Sequence, residues 1–291
     1  MKIADLLKTR KKGFSFEFFP PKTEAGMVAF LQVVRELSRL DPLYVSVTYG
    51  AGGSTQDRTL KTLRAIRENF SLTVMSHLTC IGATRASMAT LLQTFREEGI
   101  ENVLALRGDP PEDIPDFDPS AGEFPYGRDL AAFVRSTHDF SIAVAVYPEG
   151  HLESPSLEAD LIYTKEKVDA GADFAITQMF FDNRYFFAFR ERAERAGLRL
   201  PIFPGIMPIT DLAKVKRFAS FCGATIPAWV EEKMAPLAGR PEEMEKVGVE
   251  IAIRQCEELL EQGVSYLHFY TLNRSDAVVK VVEALQGRFF D

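Results

Sequence analysis

The chain has 291 residues, 46% of them apolar, and a net charge of −7 at pH 7. That much apolar matter excludes a disordered chain and supports a large buried core, while the acidic balance argues against a nucleic-acid or anionic-membrane surface. No apolar run approaches the roughly 20 residues of a membrane span, so a cytoplasmic protein with neither membrane nor nucleic-acid partner is expected.

The amphipathic start "MKIADLLKTR" reads as a first helix, and the basic cluster "KTRKK" (8–12) as its solvated end. Eight short β-branched or aromatic runs follow: "FSFEFF" (14–19), "LYVSVT" (43–48), "TVMSHL" (73–78), "NVLALR" (102–107), "SIAVAV" (141–146), "FAITQ" (174–178), "IFPG" (202–205) and "YLHFY" (266–270). Helical patterns alternate with them at 26–40, 57–69, 84–98, 128–137, 157–170, 185–197, 211–221, 242–262 and 274–286. Eight strands alternating with helices predict an α/β fold, a (β/α)8 TIM barrel. The Pro-, Asp- and Gly-rich segment 108–127 is a functional loop after strand 4, and 223–239 adds a short extra helix. No composition shift marks a boundary, so residues 1–291 are read as one catalytic domain.

Cys80, Cys222 and Cys256 lie far apart without a C-x-x-C, and the four histidines lack H-x-x-x-H spacing. Neither a disulfide framework nor a metal site is expected. The stretch "YGAGGST" (49–55) has the glycines of an anion cradle but not the Gly-Lys-Ser/Thr ending, and a plain βα turn fits it better.

Alternate side chains of a barrel strand point into the barrel or out toward the helices. Phe14, Phe16 and Phe18 share one face of strand 1, and Ser15, Glu17 and Phe19 the other. Strands 2, 5 and 8 split the same way, and strand 4 is read with Leu104 and Leu106 outside and Ala105, Arg107 and Asp109 inside. One face is greasy and the other, taken as the interior, is small or polar. Its late members, Glu17, Thr48, His77, Arg107, Asp109, Tyr147, Gln178 and Tyr270, then gather at the C-terminal ends of the strands, where barrel enzymes keep their sites. Glutamate is depleted in strands and rarely buried unpaired, which singles out Glu17. Asp109 after Gly108 serves equally as a loop turn, and His77 and His268 taken alone read as core histidines.

Eight ordered motifs, "FEFFPPK", "VTYGAGGST", "SHLTC", "LALRGDPP", "VYPEGH", "AITQMFFDN", "PGIMP" and "HFYTLNR", resemble those of the methylenetetrahydrofolate reductases of the bacterial, single-domain type, over about residues 2–285. The resemblance implies bound FAD, with NADH or NADPH as co-substrate. It implies hydride transfer to 5,10-methylenetetrahydrofolate in ping-pong order, giving 5-methyltetrahydrofolate for methionine synthesis. Carried over by position, Glu17 is the general acid and Asp109 the aspartate near flavin and pterin. Glu17, Asp109, Gln178, Tyr270 and Arg274 meet the folate. Thr48, His77, Arg107, Gly108, Asp109, Tyr126, Tyr147, His151, Asp160 and Lys167 meet the flavin. Tyr163 and Glu166 stand where other members carry Asn and Arg, and Leu212 where some place Phe. The family also implies a homo-oligomer, a dimer or tetramer. Two alternatives stay open: a flavin-free folate-handling barrel enzyme, and a non-catalytic folate-binding subunit of an electron-transfer complex.

The proposed chemistry needs a proton, because a carbon bridging two nitrogens accepts hydride only after one C–N bond breaks. A carboxyl group beside aromatic walls is expected to have its pKa raised by desolvation, so that Glu17 donates near neutrality.

Overall fold

The structure, a computed structural model, describes residues 1–49, 53–110, 118 and 121–288, the side chains of 53–55 excepted. Among these, β1 (Gly13–Phe18), β2 (Tyr44–Val47), β3 (Val74–Thr79), β4 (Asn102–Leu106), β5 (Ser141–Val146), β6 (Phe174–Met179), β7 (Ile202–Ile206) and β8 (Tyr266–Tyr270) pair in chain order. Every pairing is parallel, and β8 closes on β1. The expected (β/α)8 barrel is therefore present.

Around it lie α2 (Glu24–Ser38), α3 (Gly53–Asn69), α4 (Arg85–Glu97), α5 (Gly127–Thr137), α6 (Leu157–Asp169), α7 (Asn183–Arg195), α8 (Leu212–Cys222), α10 (Pro241–Glu261) and α11 (Asp276–Leu285). The extra helix expected within 223–239 is α9 (Ala228–Met234). Several helices begin where a short polar side chain stands one residue ahead and accepts from the first turn: Thr23 from Gly26 N at 3.0 Å, Ser156 from Ala159 N at 3.2 Å, Asp211 from Lys214 N at 3.1 Å. Parts of the "YGAGGST" turn and of the loop after β4 (50–52, 111–117, 119 and 120) lie outside the described residues.

The outward faces of the strands form the large core with the helices. Phe14, Phe16 and Phe18 are buried there, Phe18 edge-on to Phe30 of α2 at 5.3 Å. The inward face departs from expectation in its lower half, which is apolar: Tyr44, Met75, Leu104, Phe174, Phe203 and Tyr266 fill the barrel floor. Helix α1 (Ile3–Thr9) closes that end by adding Ile3 and Leu7, and Asn102 Oδ1 accepts from Ile3 N at 2.7 Å. Floor rings pack 4.8–5.8 Å apart, each burial worth about 1.5–3 kcal/mol. Polar chemistry is thereby confined to the opposite mouth.

Strand 4 corrects the parity reading. Leu104 is the register partner of His77 and of Ala143, and register partners in parallel strands share a face, so Leu104 points inward and Ala105 outward. Leucine fills the floor where greasiness alone had assigned it to the helices.

Candidate active site

At the mouth, Glu17 is 8% exposed and held by two histidines. Its Oε2 lies 3.3 Å from His268 Nε2, hydrogen-bonded, and 3.3 Å from His77 Nε2, which lacks hydrogen-bond alignment. His268 Nδ1 is 2.7 Å from Ser15 Oγ. A carboxylate only accepts, so Nε2 carries the imidazole proton and Nδ1 accepts from the serine hydroxyl. Register explains the meeting: Ser15 pairs with His268, and Glu17 with Tyr270, on adjacent strands.

Glu17's electrostatics overturn the expected raised pKa. Burial is the largest influence and does push the carboxyl up, but attraction to His77 and the hydrogen bond with His268 outweigh it and hold the group at about 2. His268 is in turn held below its ordinary value, chiefly by burial, with Glu17 pulling the other way. Desolvation alone was the wrong guide because the sequence does not display which charges a buried acid meets.

A second cluster lies beside the mouth, between the ends of β4 and β5 and helices α5 and α6. A cavity of about 250 Å³ is lined there by Arg107, Tyr126, Tyr147, His151, Asp160 and Lys167, together with Arg128, Glu153 and Tyr163. Arg107 does not enter the barrel. The chain turns at Gly108, φ +90°, where a Cβ would come 2.9 Å from Thr79 Cβ, and the guanidinium pairs with both oxygens of Glu153. The hydrogen bond with Glu153 raises the Arg107 pKa. Lys167 Nζ donates to Ala145 O at 2.6 Å and lies 5.4 Å from the Tyr147 ring centre. Burial pushes its pKa down to about 8 against the pull of Asp160. Asp160 accepts from Ser154 Oγ at 2.9 Å and His151 N at 3.2 Å. Burial, above all, lowers the His151 pKa.

The remaining sequence-chosen residues spread around the rim. Thr48 is half-buried at the end of β2, its N–H donating to Phe18 O at 2.9 Å. Gln178 is half-buried, its Oε1 accepting from Met179 N at 3.0 Å. Tyr270 donates to Thr177 O at 2.8 Å, and its pKa is raised by burial. Asp109 is exposed just beyond β4. Arg274 is exposed and loosely paired with Glu245 at 3.7 Å and Asp276 at 3.9 Å. Leu212 opens α8 and is buried with Met244 in an apolar cluster against which Tyr270 packs, and it lines a separate cavity of about 450 Å³ between α8 and α10. Sequence reasoning left His268 as a core histidine and gave Ser15 no role, and it passed over Arg128 and Glu153. The first two were legible from the parity they share with Glu17 in register; the last two come from a helix start and a loop without strand periodicity.

The model of the family described as methylenetetrahydrofolate reductase matches residues 2–286. The 5,10-methylenetetrahydrofolate reductase of Salmonella typhimurium is 40% identical over 275 residues, covering 94% of this chain and 90% of that protein. Methylenetetrahydrofolate reductase (NADH) 1 of Arabidopsis thaliana is 38% identical over 297 residues, covering 97% of this chain and 50% of the plant protein. Among solved structures, a Clostridium thermocellum protein that binds two copies of 5-methyl-5,6,7,8-tetrahydrofolic acid superposes with a TM-score of 0.65 at 13% identity, covering 98% of this chain and 97% of its own, a likeness of fold. By the extent of these matches, the chain belongs to the methylenetetrahydrofolate reductase family.

Proposed function

We propose that this protein reduces 5,10-methylenetetrahydrofolate to 5-methyltetrahydrofolate as a single-domain flavoenzyme, using FAD and taking hydride from NADH or NADPH. Membership of the family supports methylenetetrahydrofolate reduction; the flavin, the nicotinamide and the residue roles are our reading. The observation that carries it is that two features share the C-terminal end of one closed barrel. A buried glutamate sits among histidines near the end of β1, and at the ends of β4 and β5 lies a cavity walled by Arg107, Tyr126, Tyr147, His151, Asp160 and Lys167, six of the positions matched to flavin contacts.

The residues present suit FAD. Guanidinium and ammonium groups answer a diphosphate, the tyrosine rings offer faces to flat heterocycles, and the buried His77 Nε2 lacks an aligned partner. Thr48, Gly108 and Asp109 would complete the holding set along the rim. When bound, FAD supplies a ring that takes up hydride from the nicotinamide and gives it to the folate.

The chain's own part is positioning and proton supply. A proton entering the Glu17, His77 and His268 trio is shared between the carboxylate and the imidazoles, whose Nε2 atoms both lie 3.3 Å from Glu17 Oε2. A ligand covering the mouth excludes water, disfavours imidazolium further and passes the proton to Glu17, which gives it to the folate nitrogen as the C–N bond opens. Asp109 sets a negative charge at the rim, where cationic character develops on the pterin. Gln178 and Tyr270 orient the pterin, and Arg274 meets the anionic folate tail.

The reading extends to ping-pong order, with nicotinamide and folate alternating at one rim, and to a cytoplasmic homo-oligomer. No helix among the described residues is long and apolar enough to cross a membrane. Anaerobic mixing tests the whole: NADH should bleach the flavin absorbance of the purified protein, and methylenetetrahydrofolate should restore it. A colourless protein that takes up no flavin, or a bleached flavin that folate leaves unchanged, would refute the reading.

A further inference from the structure

Arg128 stands in the first turn of α5, where the positive end of the helix dipole disfavours a cation. Its guanidinium nevertheless lies 4.6 Å over the Tyr126 ring and pairs with Glu166 of α6. It thus links α5 to α6 and forms part of the wall of the β4–β5 cavity. The start of α5 does not need this pairing, because Asp129 Oδ2 already accepts from Tyr126 N at 2.9 Å. The helix start is pressed against β4, since a Cβ on Gly127 would lie 3.4 Å from Ala105 O, and this fixes where the Arg128 side chain begins.

The other cations of the cavity are engaged. Arg107 is clamped by Glu153, and Lys167 is tied to Ala145 O beside Asp160. Glu166 accepts only and has nothing to offer a phosphate. The Arg128–Glu166 pair is part-exposed, at 33% and 42%, so it is screened and easily exchanged. A guanidinium that holds a carboxylate through its fork can hold a phosphate in the same way.

We propose that Arg128 binds the diphosphate of the flavin dinucleotide, and that Glu166 holds Arg128 over the cavity until the phosphate replaces it. The inference rests on the flavin reading above and adds to it a residue outside the set drawn from the resemblance. It also accounts for how a cavity with a carboxylate at position 166 still meets an anion.

The test is a titration of flavin-stripped full-length protein with FAD and with riboflavin, which lacks phosphate, at low and high salt, followed by flavin fluorescence. Arg128→Ala should weaken FAD by about 10-fold or more, flatten its salt dependence, and leave riboflavin within about 2-fold. Arg128→Lys should recover part of the loss. Glu166→Gln should tighten FAD severalfold, because it removes both a competitor for Arg128 and a repelling charge. If the two residues serve only to tie α5 to α6, Arg128→Ala and Glu166→Gln will shift FAD binding in the same direction, and the proposal falls. Equal losses of riboflavin and FAD would also overturn it. Unaltered FAD affinity in Arg128→Ala overturns this inference alone, whereas a wild-type protein that takes up no FAD overturns the flavin reading as well.

Discussion

Glu17 Oε2 and His268 Nε2 face each other 3.3 Å apart across the seam where β8 closes on β1, with Ser15 fixing the far nitrogen of the imidazole at 2.7 Å. The geometry makes Glu17 an acceptor from His268 in the resting protein and a donor only when a proton is added to the trio. Glu17→Gln preserves size and the hydrogen bond from His268 but cannot carry that proton. Stopped-flow measurement should find flavin binding retained and NADH oxidation within about 3-fold of wild type, with the folate half-reaction slowed by about 10²–10⁴-fold. Equal slowing of both half-reactions would remove the acid role.

Stability should fall on acidification, with both members of the pair acting in the same direction. His268 is held below its ordinary 6.5, so from about that pH downward the unfolded chain takes up a proton that the folded chain refuses. Glu17 is held at about 2 against an ordinary 4.5, so its contribution is complete above 4.5 and is lost as the pH falls from there toward 2. In His268→Gln the urea midpoint should change less between pH 6.5 and 5 than in wild type. An identical acid slope in the two proteins would mean that His268 is protonated as readily folded as unfolded.

The barrel was legible because its elements carry strong periodicities: Phe14, Phe16 and Phe18 mark an outward face, and eight such runs leave few other folds. Parity brought Glu17 and His77 to one mouth, and the two residues touch. It failed at β4, where Leu104 and Ala105 are both apolar and only the register with His77 decides which faces inward. The depressed Glu17 pKa was hidden for a related reason: it depends on partners 60 and 251 residues away in the chain. Glu166 stood out as a departure from the family pattern, but its pairing with Arg128 was beyond reach because it spans two helices and follows no strand or motif spacing.

Lys167 carries a stability cost that its proposed contact with the flavin would account for. Its pKa, at about 8 rather than 10.5, corresponds to a net cost of roughly 3 kcal/mol at neutral pH, burial outweighing the pull of Asp160, offset by about 1 kcal/mol from its hydrogen bond to Ala145 O. Because the unfolded lysine gains its proton below 10.5 and the folded one only below about 8, the cost builds as pH falls through that window and is constant beneath it. Lys167→Met should therefore stabilise the protein by about 1–2 kcal/mol at pH 7, progressively less above pH 8, while weakening FAD. Urea unfolding across pH 7–10 would show it; a destabilised variant at pH 7 would mean that the ammonium's contacts outweigh its burial.

Gly205 of β7 holds the Tyr270 side of the mouth in place. A Cβ there would come 2.4 Å from Thr177 O and 2.6 Å from Cε2 of Tyr270, whose hydroxyl donates to Thr177 O at 2.8 Å between β8 and β6. The carbonyl is strand backbone and cannot step aside as a side chain can, so β7 itself must shift as well as the ring, and the shift leaves a buried hydroxyl and a carbonyl without their bond. Overpacking and the lost hydrogen bond together should cost Gly205→Ala about 2–4 kcal/mol. Tyr270→Phe, which loses only the hydroxyl, should cost about 1–2 kcal/mol. In the double variant the alanine still meets Thr177 O, so the two costs should be less than additive but well above that of Tyr270→Phe alone. Urea unfolding of the three variants decides it: if Gly205→Ala is as stable as wild type, the mouth is looser at β7 than these contacts require, and Tyr270 is not fixed by them.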